Sequence, residues 1–364
     1  MKSIYILGIR GIPASHGGFE TFAEKLSLFL QKRGWNVTVY CQKNGGNIEK
    51  DMWNGIQRVF IPVNGEGAIA SVIFDLKAAW HVRKKKGVIL TLGYNTAVFN
   101  IIQRVWGQKN IINMDGIEWK RNKWGIIAKS WFWINERIAC FVGNALIADH
   151  PEIKRHLSTR IRESKIKMIP YGAELVKNID VEILKKYSLE PNGYSIVIAR
   201  PEPENSFLEI VLAFSKKIRN HKLVVLGNFD VNNSYHKKVV NSAGREVVFL
   251  GAIYDHDTIC CLRKCSRFYI HGHTVGGTNP SLVEALGAGC AIIAQNNRFN
   301  CWVAGENQLY FDDKEDLSSV FDKYIDDVSI QNNMKACSLN KFVSEFQWND
   351  ILKEYESLLL KYVD

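Results

Sequence analysis

Short apolar runs alternate with amphipathic stretches along almost the whole chain. The runs "SIYILGI" (3–9), "NVTVYC" (36–41), "GVILTLG" (87–93), "NIINM" (110–114), "NALIAD" (144–149) and "KIKMIP" (165–170) predict buried strands. After a looser stretch the pattern restarts with "YSIVIA" (194–199), "KLVVLG" (222–227), "VVFLG" (247–251), "RFYIHG" (267–272) and "CAIIAQ" (290–295). Between them, periods near 3.6 over 20–33, 205–219 and 279–287 predict helices. Strands and helices in strict alternation form parallel sheets with crossover helices. Two such series, separated near "PYGAELVKN" (170–178), predict two doubly wound α/β domains facing a cleft. Their boundaries are expected at 1–175 and 176–345, with a last helix in 347–362, inside the 346–364 segment, crossing back to the first domain. In such sheets, sites lie beyond the C-terminal ends of the strands.

Length and composition narrow the class. The chain has 364 residues, 46% of them apolar and 23% charged, as in a foldable globular protein of two domains. No run is long enough to span a bilayer, and "MKSIYILGIRG" turns polar too quickly for a signal peptide. The eight cysteines are scattered, and "CCLRKC" (Cys260, Cys261, Cys265) lacks zinc spacing, so a reduced cytoplasmic chain is expected. Charge is unevenly placed. Residues 1–175 hold 26 Lys and Arg against 13 Asp and Glu, a net +13, whereas residues 176–364 hold 21 against 24, a net −3. An anionic partner is therefore expected on the first domain, either a membrane surface or nucleic acid.

Four stretches carry candidate chemistry. "GIRGIPASHGGFETFAEKL" (8–26) is a glycine-rich turn between a strand and a helix. Such a turn serves either tight packing or an anion held at the helix N-terminus. "HGHTVGGTNPSLVEALGAG" (271–289) repeats the arrangement, with Gly276, Gly277, Thr278 and Asn279 ahead of Pro280. Thr278 or Asn279 is expected to cap that helix, and Glu284 lies about one turn inside it, where a carboxylate can bind sugar or ribose hydroxyls. Arg200 follows the first strand of the second domain, where it either clamps a diphosphate or pairs with Glu202 or Glu204. Asp115 in "NMDGIEWKRNKW" (113–124) follows a strand and either handles an acceptor proton or shapes the loop before Gly116. Asp255 and Asp257 in "YDHDTI" have metal-site spacing, but their place before a helical segment favours capping, and no metal is expected.

The order of Arg200, Gly276-Gly277 and Glu284 in "NPSLVEALGAG" resembles the donor half of the GT-B glycosyltransferases of family 4. "GIRGIPASHGGFE" and "NMDGIEWKRNKW" resemble a bacterial branch, the rhamnosyltransferases of capsule and O-antigen assembly. The resemblance implies transfer with retention of a sugar, L-rhamnose from dTDP-rhamnose, onto a polyprenyl-diphosphate-linked glycan, with no cofactor. It also implies a donor site of Gly17, Gly18, Arg200, Asn205, Gly276, Gly277, Thr278, Asn279 and Glu284. Arg10, His16, Glu20 and Asp115 fall on the acceptor side, and Asp115, Arg200 and Glu284 carry the catalytic roles. Two positions depart from the family. Where it has a glutamate eight residues before Glu284, this chain has Gly276, and its diphosphate lysine falls on Asn205.

The segment 119–143 mixes Trp119, Trp124, Trp131, Phe132 and Trp133 with Lys120, Arg121, Lys123 and Lys129, a composition of interfacial segments or of an aromatic core. With "HVRKKK" (81–86) it predicts peripheral binding to the anionic inner leaflet. Rival readings are a UDP- or GDP-sugar donor, a sugar-nucleotide 2-epimerase of the same architecture, a nicotinamide oxidoreductase and a nucleic-acid binder. Cys41 and Gln42 stand where the oxidoreductase needs an acidic residue, and no nucleic-acid recognition motif occurs.

Overall fold

The computed structural model describes residues 2–15 and 17–363. It divides into two compact units, residues 1–170 with 349–364, and residues 171–348.

The first unit is built on β1 (Ser3–Leu7), β2 (Asn36–Asn44), β3 (Glu49–Trp53), β4 (Ile56–Val63), β5 (Val88–Leu92), β6 (Lys109–Asn113), β7 (Ala145–Ala148) and β8 (Ile166–Met168). Their order in the sheet is β3-β4-β2-β1-β5-β6-β7-β8, and every pair is parallel except β3 with β4. All five residues of β5 and all four of β7 are buried, which explains their unbroken apolar character: a parallel strand is covered on both faces. The helices are α1 (Gly18–Lys32), α2 (Gly67–Val82), α3 (Ile101–Val105), α4 (Ile126–Val142) and α5 (Pro151–Ser158). α1 buries Phe22, Ala23, Leu26 and Leu30, the stripe that its period predicts.

The hairpin β3–β4 was not anticipated from the apolar runs. β3 is an exposed, polar edge strand without such a run, and the legible signal is its turn. Asn54 and Gly55 have φ of 48° and 78°, the left-handed pair of a two-residue hairpin.

The second unit carries β9 (Tyr194–Ile198), β10 (Lys222–Leu226), β11 (Val247–Gly251), β12 (Tyr269–His271), β13 (Ile292–Gln295) and β14 (Leu309–Phe311), all parallel in the order β11-β10-β9-β12-β13-β14. Its helices are α6 (Phe207–Ser215), α7 (Ser234–Asn241), α8 (His256–Lys264), α9 (Pro280–Gly287), α10 (Arg298–Ala304), α11 (Lys314–Tyr324) and α12 (Val328–Glu345). The segment after Pro170 belongs to this unit because Ala173 bridges to Gln347 and the Val176 N–H donates to the Gly287 carbonyl.

A last helix, α13 (Trp348–Leu360), returns the chain to the first unit. Tyr355 packs its ring 4.5 Å from Phe22 and its hydroxyl accepts from the Asn113 amide at 2.8 Å. Buried Glu356 accepts from the Trp35 indole at 3.0 Å and pairs with Arg33.

Candidate active site

In each unit the chemistry-bearing loops leave the C-terminal ends of the parallel strands. In the first they follow β1 (8–17), β5 (Gly93-Tyr94), β6 (Asp115) and β7 (Asp149). In the second they follow β9 (Arg200), β12 (272–279) and β13 (Asn297).

The loop after β1 has two kinds of glycine. A Cβ on Gly8, whose φ is +86°, would stand 2.2 Å from the Leu92 carbonyl oxygen, so β1 and β5 can adjoin there only through a glycine. Gly17 caps α1 with φ 105° and no side chain over the helix start, while Gly18 is the first helical residue. Two carboxylates of α1 reach back over the loop. Glu20 accepts from the Arg10 N–H at 3.3 Å and Glu24 from the Ala14 N–H at 2.6 Å. Glu20 therefore fixes the loop, besides lining, with Arg10 and Gly17, a recess of about 430 Å³. His16 lies outside the described residues.

Asp115 sits at the end of β6 with φ 50°, in the left-handed region that aspartate tolerates. Its N–H donates to Asn113 Oδ1 at 3.0 Å, and the Asn113 amide is itself anchored on Tyr355. Burial first, and the carboxylates of Glu118 and Asp149 next, push the Asp115 carboxyl up to about 7, while the Gly116 N–H and Arg121 draw it back only in part. Glu118 is held by Arg121 at 2.6 Å and by the Trp124 indole at 3.1 Å. Behind it, buried Glu136 accepts from the Trp119 indole at 2.8 Å, from Arg160 at 2.6 Å and lies 3.0 Å from His156. Burial acts to raise the Glu136 carboxyl, but these partners outweigh it and hold it below the usual range. Trp119 and Trp124 are thus tied by their indoles to buried carboxylates. Of the two readings open for 119–143, these two rings take the packed one, since a buried carboxylate needs donors and the two indoles supply them.

In the second unit Arg200 is exposed, and among the described residues its guanidinium makes no ion pair. Asn205 stands where the family has its lysine. It is buried, its amide donates to the Arg200 carbonyl at 2.8 Å, and its Oδ1 lies 2.7 Å from His273 Nδ1. Both ends of the amide serve the loop. Asn279, not Thr278, caps α9, accepting from the Ser281 N–H at 3.0 Å with Pro280 in the first turn. A Cβ on Gly276 would stand 2.3 Å from the tip of the Phe299 ring, so a larger side chain there requires that ring to shift. Asp255 caps α8 through the Thr258 N–H at 2.9 Å.

Glu284, 40% exposed at its side chain, is paired at 2.6 Å with Arg263, which is 8% exposed. Arg263 also donates to Ser281 Oγ at 3.1 Å, and Ser281 lies 2.7 Å from the Tyr269 hydroxyl and donates to the Ile198 carbonyl at 3.2 Å. A buried polar network thus joins the ends of β9 and β12 to the first turn of α9 and fixes one oxygen of Glu284. Arg263 went unnoticed in the sequence because it sits in "CCLRKC", where its neighbours read as core and nothing marks a buried cation.

Residues 1–174 match a family model described as a domain of unknown function, DUF1972. No curated protein matches the chain. Among solved structures, a sucrose-phosphate synthase from Thermosynechococcus elongatus is similar at a TM-score of 0.84 and 15% identity, covering 99% of each chain. HepE from Anabaena, solved in complex with UDP and glucose, gives 0.80 at 14% identity over 99% of this chain and 100% of its own. A glycosyltransferase from Rickettsia africae gives 0.76 at 16% identity over 100% of this chain and 99% of its own. The chain has the GT-B fold over its whole length.

Proposed function

We propose that the chain is a glycosyltransferase that takes its sugar from a nucleotide-sugar donor. The observation that carries this reading is Glu284, a half-exposed carboxylate held by buried Arg263 at the strand-end edge where exposed Arg200 also stands. A carboxylate fixed on one oxygen suits a pair of ribose hydroxyls, and a free guanidinium suits a diphosphate. Similar structures support the donor class: HepE is bound to UDP and glucose, and a trehalose-6-phosphate structure from E. coli to UDP-2-fluoro glucose. Donor contacts would come from Arg200, from Gly276, Gly277 and Thr278 through their backbone, and from the α9 N-terminus. Asp115 would orient the acceptor hydroxyl or take its proton.

The finer reading is a retaining rhamnosyltransferase, moving L-rhamnose from dTDP-rhamnose to a polyprenyl-diphosphate-linked glycan at the inner leaflet, without a metal. In that mechanism the departing diphosphate takes the acceptor proton, and the protein stabilises charge growing on the leaving group.

Thermal-shift titration with dTDP, UDP, GDP and their sugars, followed by calorimetry and transfer rates, tests the proposal. Glu284→Gln should weaken donor binding by about one to two powers of ten, as expected for one charge-assisted hydrogen bond. Arg200→Ala should lower the rate as well as the affinity. Asp115→Asn should lower transfer while donor binding stays. Loss of nucleotide affinity in Asp115→Asn with retention in Glu284→Gln would overturn the assignment, and consumption of the sugar nucleotide without an acceptor would mark an epimerase.

A further inference from the structure

α2 is apolar on both sides. Ala70, Phe74 and Ala78 face the core, while Ile69, Ile73, Leu76 and Trp80 are 76%, 40%, 41% and 54% exposed. Their spacing of four, three and four residues makes one outward stripe along the helix. A helix with no polar face ordinarily lies inside a protein or a membrane. No helix among the described residues is long and apolar enough to cross a bilayer, so this stripe needs a surface to lie on.

The stripe does not stand alone. α2 contacts α3, and α3 contacts α4. Val105 of α3 is 76% exposed, and Ile127, Ile134 and Phe141 of α4 are 87%, 47% and 72% exposed at heptad spacing. Cations are woven through this layer. The Arg83 guanidinium lies 3.9 Å from the Trp80 ring and 5.7 Å from the Trp106 ring, and Arg104 lies 5.9 Å from Phe141, bridging α3 to α4. At the end of α2, Arg83, Lys84, Lys85, Lys86 and Lys109 join Trp106 around a recess of about 690 Å³. Between Gly67 and Lys109 the only carboxylate is Asp75, and it is occupied by the Thr96 hydroxyl at 2.7 Å.

We infer that the outward face of α2, α3 and α4 is a docking surface for an anionic lipid bilayer, the apolar stripe entering the headgroup boundary and the Arg83–Lys86 recess taking lipid phosphates. The inference deepens the inner-leaflet association proposed above and rests on it for the choice of partner. Apolar side chains alone would suit a second protein equally. Aromatic rings under cations, with acidic residues almost excluded from the helices between, are what a negatively charged interface selects.

The test is flotation of the full chain with vesicles of phosphatidylcholine, with or without 30% phosphatidylglycerol (about the anionic share needed for strong attraction), and needs no turnover. Binding should require the anionic lipid and weaken with salt. Lys84→Glu, Lys85→Glu and Lys86→Glu together should weaken it roughly a hundredfold or more, at about 1 kcal/mol for each lysine near the surface. Ile73→Glu with Trp80→Glu should abolish insertion even at low salt, whereas Trp80→Phe should retain it, with melting temperatures of all variants near that of the parent. Absence of vesicle binding would overturn the membrane association itself. Binding unchanged in the α2 variants would overturn this face while leaving the association standing. A concentration-dependent dimer that Trp80→Glu dissolves would make the face an interface between copies and overturn the inference.

Discussion

At the scale of single residues, Asp115 and Glu284 are two carboxylates in opposite environments. Glu284 is paired with a buried cation, whereas Asp115 is enclosed beside Glu118 and Asp149, and its carboxyl is raised to about 7. A carboxyl whose folded value lies above its unfolded one favours the folded state most when protonated. Its contribution is full below the ordinary aspartate range and is lost as pH rises towards 7. The chain should therefore lose thermal stability through Asp115 between about pH 4 and pH 7. Asp115→Asn should flatten that part of the profile and be more stable than the parent at pH 8. Melting curves of both proteins across the window check this; a parallel pair of profiles would show that Asp115 does not titrate there. The carboxylate environment was only half legible in sequence. "NMDGIE" shows Glu118 three residues away, but Asp149 lies at the end of another strand and becomes a neighbour only through the β6–β7 pairing.

At the scale of elements, the loops before α1 and α9 are each held from behind by side chains of the helix that follows. Asn279 closes α9, and Ser281 in its first turn ties the helix to β9 and β12. Asn279→Ala should cost about 1 kcal/mol of stability, the ordinary value of an N-cap. It should lower nucleotide affinity less than Glu284→Gln does, because Arg263 still holds the carboxylate. Chemical denaturation and calorimetry on the two variants measure both effects. The α1 loop uses Glu20 and Glu24 for the same purpose, which explains why its glycines alone do not describe it. Before α9 the proline was readable in sequence, and the cap was narrowed to Thr278 or Asn279. The Ser281 contacts were not readable, because they reach β9 and β12.

At the scale of the whole molecule, the last helix decides the integrity of the first unit. Tyr355 touches both α1 and the end of β6, and through Asn113 it supports the backbone of Asp115. Tyr355→Phe removes the acceptor of a buried amide and should cost about 1–3 kcal/mol. Tyr355→Ala adds a cavity and should cost about 3–5 kcal/mol. Hydrogen exchange should report the loss in α1 and β6 and leave α6 to α12 protected. Equal loosening of both units would show that they unfold together.

The sequence by itself determined the α/β class, eleven of the fourteen strands among the described residues, the strand ends from which the described candidates emerge, and a cap of α9 at Thr278 or Asn279. These are local properties, because an apolar run, a glycine turn or a capping side chain acts within a few residues of itself. Only the tertiary structure decided that Arg263 holds Glu284, that Asn205 is taken up by Arg200 and His273, and that Phe299 fills the place a larger residue at 276 would need. It also decided that Trp119 and Trp124 turn towards buried carboxylates while Trp80 stays outside. An ion pair, a filled space or a buried donor depends on which distant segments the sheet brings together, and no residue type announces its partner across 20 or 70 positions.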